Sequence, residues 1–286
     1  MSEEILTPPR PRTSRGTSRR ATLILGLALT GAVVLLALVS LVWLPYAQGD
    51  TSGGRLEAAS PAHWIGTDKL GRDLFTQLMI GARIALSVGA GSVAIAAVLG
   101  ITLGLVAAFA RPWFDDTLSA WLDVMIAFPV LLLAMLIVAV QGASLGSVIL
   151  AIGLGLSAVI ARLTRVLAKR VLQEQYITAA RTSGTRWPGI VFGHVLPNIA
   201  PMLASALALQ FGIAVLAEAS LSYLGLGAPP PNASWGRLLQ EAQGTVLTAP
   251  LGAIVPGVAL VVLVLGVNFI ADGLRVFTDP TTRRAR

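Results

Sequence analysis

The stretch Tyr176-Ile177-Thr178-Ala179-Ala180-Arg181-Thr182-Ser183-Gly184, followed by His194-Val195-Leu196-Pro197-Asn198, is a polar, basic interruption between two long apolar runs. Ala179 and Ala180 put two small residues on a helix-forming stretch, so another backbone can come close. Gly184 can supply the positive φ that ends a helix. Thr185 can cap a second short helix, and Pro188 is tolerated in that helix's first turn. Pro197 is expected to break or bend the chain before the next apolar run. The pattern predicts a helix continuing from Arg165 to Thr182, a tight turn, and a short second helix, together a compact knob. A basic loop lying on anionic headgroups would have the same spacing, and spacing alone does not separate the two.

On either side of this loop the chain is apolar. Its 286 residues are 55% hydrophobic and only 12% charged, with mean hydropathy +0.78. A soluble domain carries roughly 25% charged residues, so the chain reads as a polytopic membrane protein. A membrane helix needs about 20 mostly apolar residues, and six runs qualify: Ala21–Leu44, Ile84–Ala110, Thr117–Val140, Leu145–Leu167, Ile199–Leu221 and Pro250–Leu274. Backbone polar groups must be paired within lipid, so only helices or a closed barrel can span it. The runs are long and lack two-residue alternation, which selects an all-α protein with six transmembrane helices. Ser18-Arg19-Arg20 before the first run hints at a twin-arginine signal. That run exceeds the ~7–15 residue core of a signal peptide, and no clear small-x-small cleavage site follows. It reads as a retained helix.

The basic residues orient the spans. Sixteen of the 21 fall on one side: the N-terminal tail, Arg111, the loop from Arg162 to Arg186, and the C-terminal tail. Arg55, Lys69, Arg72, Arg83 and Arg237 fall on the other. The positive-inside rule then predicts both termini, and the Tyr176–Asn198 loop, on the cytoplasmic side. The net charge of +7 reads as loop charge facing a cytoplasmic leaflet rather than as a nucleic-acid surface.

Outside the spans, Gly49 to Gly54 reads as a flexible turn region. From Asp73 the apolar residues suggest either a short interfacial helix or an N-terminal extension of the second span. Trp43, Tyr46, Trp64, Trp113 and Trp235 fall near span ends and read mostly as headgroup-level anchors. Among intramembrane carboxylates, Asp123, Glu218 and Asp272 are pore or gate candidates, because an ionised group at mid-bilayer costs ~2.5–3.5 kcal/mol on insertion scales. A packed, hydrogen-bonded role is the alternative for each.

Several chemistries find no support. The chain has no cysteine and only two histidines, so a thiolate nucleophile is excluded and a metal site is not expected. Gly142-Ala143-Ser144-Leu145-Gly146 matches the Gly-x-Ser-x-Gly elbow, but that motif needs a strand–turn–helix context and a histidine base. It sits here between two spans. The same segment and Gly100-Ile101-Thr102-Leu103-Gly104 match Gly-x-x-x-Gly, which permits close helix approach. Neither lysine follows the glycine-rich pattern of a phosphate-binding loop, so ATP would have to be bound by other subunits.

The Tyr176–Asn198 loop resembles the "EAA" loop of permease subunits of ATP-binding-cassette (ABC) importers. His63-Trp64-Ile65-Gly66-Thr67-Asp68-Lys69-Leu70-Gly71-Arg72-Asp73, with Gly81-Ala82-Arg83-Ile84-Ala85-Leu86, resembles the segment before the second span in the dipeptide/oligopeptide/nickel branch of that family. Glu218 to Gly227, then Pro230-Pro231 and Ser234-Trp235-Gly236, resembles the stretch after the fifth span, and Asp272-Gly273-Leu274-Arg275 with Asp279-Pro280 the C-terminal end. The resemblance runs in order from Trp64 to Pro280. It implies a type I importer permease fold. The implied layout is an N-terminal tail (1–20), a first helix with its outer loop (21–83), a five-helix transmembrane domain (84–275) holding the coupling loop (168–197), and a C-terminal tail (276–286). It implies that Thr178, Ala179, Ala180, Arg181, Gly184, Leu196 and Pro197 couple the chain to an ATPase. The implied partners are a second permease subunit, two ATPase subunits or domains that bind ATP and Mg, and an extracytoplasmic solute-binding protein, assembled in a bacterial inner membrane. The chain itself would hold no cofactor and perform no covalent chemistry. Thr178 stands where the family motif usually has glutamate, so no salt bridge carries over at that position. A secondary transporter working without ATPases, and an intramembrane serine hydrolase using Ser144, are the competing readings. The solute is not legible in the sequence.

Overall fold

A computed structural model describes residues 15–229 and 231–278. The two chain tails, Pro230 and the Asp279-Pro280 pair lie outside the described residues. The ordered elements are helices α1 (Arg15–Val42), α2 (Leu74–Phe109), α3 (Pro112–Ala127), α4 (Val130–Gln141), α5 (Leu145–Leu172), α6 (Gln175–Thr182), α7 (Trp187–Ile190), a π-helical turn (Val191–Val195), α8 (Leu196–Tyr223), α9 (Trp235–Ala242) and α10 (Leu251–Thr278). Five of the runs are long and apolar enough to cross a membrane, and the bent pair α3–α4 makes a sixth when counted as one span.

The second span begins ten residues earlier than expected. Leu74–Arg83 is the N-terminal extension of α2 and not a separate interfacial helix. Asp73 caps it, its Oδ2 accepting the Thr76 N–H at 2.7 Å. At ~1.5 Å per residue, the 36 residues of α2 reach well beyond a ~30 Å hydrocarbon core, so the helix runs through one interface into the loops beyond it.

The third span is broken, which corrects the expectation of one helix over Thr117–Val140. α3 and α4 meet at 86°. The cause is local: Pro129 disfavours helical backbone at the residue before it, and Phe128 is extended at φ −81°, ψ 124°. Pro129 then serves as the N-cap of α4.

At the heart of the molecule α2 and α5 run parallel. A Cβ at Gly100 would lie 2.7 Å from both the Ser157 carbonyl oxygen and the Ile160 Cβ. Gly104 stands equally tight against Ala161 and Thr164, and Gly153 of α5 against Ile95 and Ser92 of α2. The Gly100/Gly104 pair therefore does what its spacing predicted. The Gly142/Gly146 pair does not, because neither glycine faces another helix. Antiparallel to each other, α1 and α10 form the flank, with Gly26 against Gly266 and Gly273 against Leu23. The N-terminal part of α1 thus lies at the same end as the C-terminal part of α10. The Arg83 guanidinium of α2 donates to the Ser40 carbonyl of α1 at 2.7 Å, so the start of α2 meets the end of α1. The finish of α2, the finish of α5, the start of α1 and the finish of α10 share one end of the bundle, the knob end. Loop 43–73 and α9 cap the other.

Candidate functional site

At the knob end the chain leaves α5, turns at Gln173–Glu174, and forms α6. The expected continuous helix from Arg165 to Thr182 is therefore interrupted. α6 ends in a Schellman motif: the Thr185 N–H donates to the Ala180 carbonyl and the Gly184 N–H to the Arg181 carbonyl, each at 3.0 Å. Such a motif places its C′ residue in the left-handed region, and Gly184 has φ 84°. Thr185 does not cap the second helix. Arg186 occupies that position without a side-chain bond, and Pro188 sits in the first turn.

Pro197 does not break the chain. The turn Val191–Val195 widens to π geometry, with the Leu196 N–H donating to the Val191 carbonyl five residues back. This register shift comes before Pro197, whose missing N–H would have disrupted a regular helix, and α8 then runs on to Tyr223. Leu196 and Pro197 thus open α8.

The knob has a buried root and an exposed face. Ile177, Ile190 and Val195 are fully buried and cluster with Ala168, Ile199 and Leu203. Thr178, Ala179, Arg181 and Gly184 are exposed, and Ala180 is half-buried. The Arg181 guanidinium lies 4.6 Å from the centre of the Trp187 ring, and Trp187 meets Phe109 of α2 edge-on at 4.9 Å. Asn198 Nδ2 donates to the Tyr176 hydroxyl at 3.1 Å, which ties α6 to the start of α8. Two short helices are therefore held rigidly on an apolar root, with small side chains facing outward.

Sequence reasoning missed a charge cluster beside this root. Asp115, in the first turn of α3, accepts from Arg165 Nε at 2.5 Å and from Arg165 Nη2 at 2.8 Å, and also from the Lys169 ammonium. Asp115 lies just before the apolar run that starts at Thr117. The signal available was Arg165 and Lys169, four residues apart on one helix face.

The three intramembrane carboxylates do not form a shared site. Asp123 of α3 is exposed and pairs with Arg162 of α5 at 3.1 Å. Asp272 of α10 is exposed. Glu218 of α8 is 2% exposed and accepts the Ser222 hydroxyl at 2.6 Å.

The opposite end is more ordered than the sequence suggested. Gly53 N–H bonds to the Gly71 carbonyl, so the Gly49–Gly54 segment is pinned to the His63–Asp73 stretch. His63 Nδ1 faces Asp73 Oδ1 at 3.1 Å, and its ring stacks on Tyr46 at 4.7 Å. Arg72 joins Asp68 to Glu241 of α9, and Arg237 holds Glu241 from within α9. Trp235 is not a headgroup anchor: it is 1% exposed and donates from Nε1 to the Leu78 carbonyl at 3.0 Å. Gly225 ends α8 with the same Schellman bonding as Gly184, the Leu226 N–H reaching the Leu221 carbonyl. Ser144 caps α5 in a reciprocal bond with Ser147, and His63 is engaged in the cap, so the hydrolase pairing has no geometric basis.

A bundle of five or six candidate spans, with a two-helix knob between two of them, places the chain among polytopic membrane proteins. Residues 100–284 match the family described as the binding-protein-dependent transport system inner membrane component, and the chain belongs to that family. It is 40% identical over 260 residues to a dipeptide transport system permease protein of Alkalihalophilus pseudofirmus, covering 90% of this chain and 85% of that protein. It is 38% identical over 256 residues to a glutathione transport system permease protein of Pectobacterium atrosepticum, covering 87% and 85%. Among solved structures, a chain of the inward-facing MetNI methionine ABC transporter superposes with TM-score 0.60 at 22% identity, covering 71% of this chain and 97% of that one. The fold is that of a type I ABC importer permease, and the chain is a transport subunit of an ABC importer.

Proposed function

We propose that this subunit forms half of the translocation pore of an ATP-driven importer for peptides or a related small solute, and that the α6–α7 knob is the dock for an ATPase subunit. The observation that carries the docking reading is the knob's construction: Ile177 and Ile190 buried at the root, Ala179 and Gly184 exposed, and Ala180 half-buried beside them. A buried root lets force on the knob move α5 and α8, and small outward residues admit a partner backbone. Dipeptide and glutathione in the names of the relatives motivate the choice of peptides as solute.

In this reading both termini and the knob face the cytoplasm, as the arginine distribution motivates. Residues 84–275 are the transmembrane domain, and 168–197 the coupling loop within it. A second permease supplies the other half of the pore. Two ATPase subunits bind ATP and Mg, and this chain binds neither. An extracytoplasmic binding protein delivers solute to the cap built from 60–83 and 222–249. ATP binding closes the ATPase pair, the docked knobs move together, and the pore turns from inward- to outward-facing. Thr178, Ala179, Ala180, Arg181 and Gly184 make the contact, while Leu196 and Pro197 pass the motion into α8. Glu218, Asp123 and Asp272 act at most one by one, since they share no site. The test is uptake of labelled di- and tripeptides into proteoliposomes holding both permeases, the ATPases and the binding protein. ATP-dependent uptake is expected. Uptake by the permeases alone, driven by an ion gradient, would overturn the reading.

A further inference from the structure

The knob end carries an apolar groove that the docking reading leaves unused. Leu105, Val106 and Phe109 of α2 form one wall, and Trp187, Val191 and Phe192 form the other, enclosing about 380 Å³. Phe192 is 71% and Trp187 52% exposed. Both walls belong to runs that are long and apolar enough to cross a membrane, and the groove lies where those runs give way to polar loops. That is the depth at which aromatic side chains meet lipid headgroups.

Three arginines adjoin residues of its lining. The Arg181 guanidinium rests on the Trp187 ring, Arg186 directly precedes Trp187, and Arg111 follows Phe109 by two residues. All three are exposed. No carboxylate pairs with any of them among the described residues. The nearby Asp115 is already held by Arg165 and Lys169. An apolar trough alone would accept any acyl chain. A trough whose lining is flanked in the chain by exposed arginines without a carboxylate partner favours a chain that carries an anionic phosphate, because arginine N–H groups donate to phosphate oxygens in charge-assisted bonds.

We propose that this groove holds one anionic phospholipid, its acyl chain between Val106 and Phe192 and its phosphodiester accepting from Arg111 and Arg186, which leaves Arg181 to the ATPase contact. The lipid would join Trp187 to the end of α2. The inference needs only the membrane-spanning fold and stands apart from the identity of the solute.

The test uses the assembled permease–ATPase complex in nanodiscs of phosphatidylcholine containing a minority of phosphatidylglycerol. Native mass spectrometry reads the lipid retained after the disc is released. The wild-type complex is expected to keep one phosphatidylglycerol in preference to phosphatidylcholine. Arg111→Gln with Arg186→Gln leaves the groove lining intact and should lower that retention by about tenfold or more, as expected from losing a charge-assisted bond. Val106→Trp, which fills the trough from the α2 side, should lower it as well. Arg55→Gln, at the opposite end, should not. Equal retention of the two lipids by the wild type, or unchanged retention in the double variant, would overturn the proposal. A Phe192→Cys side chain that crosslinks to the ATPase subunit and not to a photoactivatable phosphatidylglycerol would also overturn it, by assigning the groove to the protein partner. Peptide uptake is not part of any of these readouts, so failure here is distinct from failure of the transport reading.

Discussion

Substituting Gly184 with alanine, asparagine and valine isolates the backbone conformation of the knob from its surface. Gly184 sits at φ 84°, and a Cβ placed there would meet nothing within 4 Å. The substitutions therefore cause no clash within the chain, and their cost is conformational. A left-handed residue with a Cβ costs roughly 1–2 kcal/mol, while asparagine tolerates the region better. A β-branched residue is worse, at about 1–3 kcal/mol. In the undocked permease the turn can relax by releasing the Thr185-to-Ala180 bond of the Schellman motif. Docking requires the native turn, so the cost appears as lost affinity for the ATPase. Gly184→Ala should weaken binding by about 5- to 30-fold, Gly184→Val by more, and Gly184→Asn by clearly less than alanine. Titrating ATPase subunits against the permease pair in nanodiscs measures this, and solute-stimulated hydrolysis should fall in the same order. Binding within about twofold of wild type for all three would show that docking does not need this turn. An equal loss for all three, asparagine included, would assign the effect to surface bulk instead of backbone strain.

Ala180→Glu should abolish ATPase co-purification by placing bulk and an unpaired charge at the contact, whereas Thr178→Ala should be near neutral, because threonine has no charge to lose; pull-down of the complex compares them. Asp115→Asn leaves Arg165 and Lys169 short of their carboxylate. Because Asp115 is buried but Lys169 is more than a third exposed, the expected loss is about 1–3 kcal/mol, seen as a lower thermal transition in nanodiscs. Gly100→Val would force α2 away from Ser157 and Ile160 of α5, and its readout is a sharp fall in folded, detergent-stable yield, with Gly142→Ala milder because Gly142 faces open space and only its φ of 84° opposes a side chain.

The helical class and most spans were legible because long apolar runs leave the backbone few options in lipid. Gly184 was legible because only glycine is at ease in the conformation that ends α6. The kink at Phe128-Pro129 was equally present in the sequence, but hydropathy averages over it, and only the steric effect of proline on the preceding residue reveals it. Pro197 misled in the other direction: its lost donor is absorbed by one π turn, a tertiary accommodation that local rules do not anticipate. Trp235 lay near a span end, where an anchor was the default, yet Gly81 leaves space for its ring and Leu78 supplies its acceptor. The Asp115 cluster and the Arg72–Glu241 bridge join residues far apart in the chain, and single-sequence spacing offers only half of each, the i,i+4 pairs Arg165/Lys169 and Arg237/Glu241.

The central claim is that the α6–α7 knob meets the ATPase. The absence of cysteine from the chain makes a direct measurement possible. Ala180→Cys and Lys69→Cys, introduced singly, are treated in native membranes with a short bifunctional thiol reagent against single cysteines on the ATPase subunit. The account predicts a crosslinked permease–ATPase band from position 180, sensitive to ATP, and none from position 69. A crosslink to the ATPase from position 69, with position 180 labelled from the outside of intact cells, would contradict it.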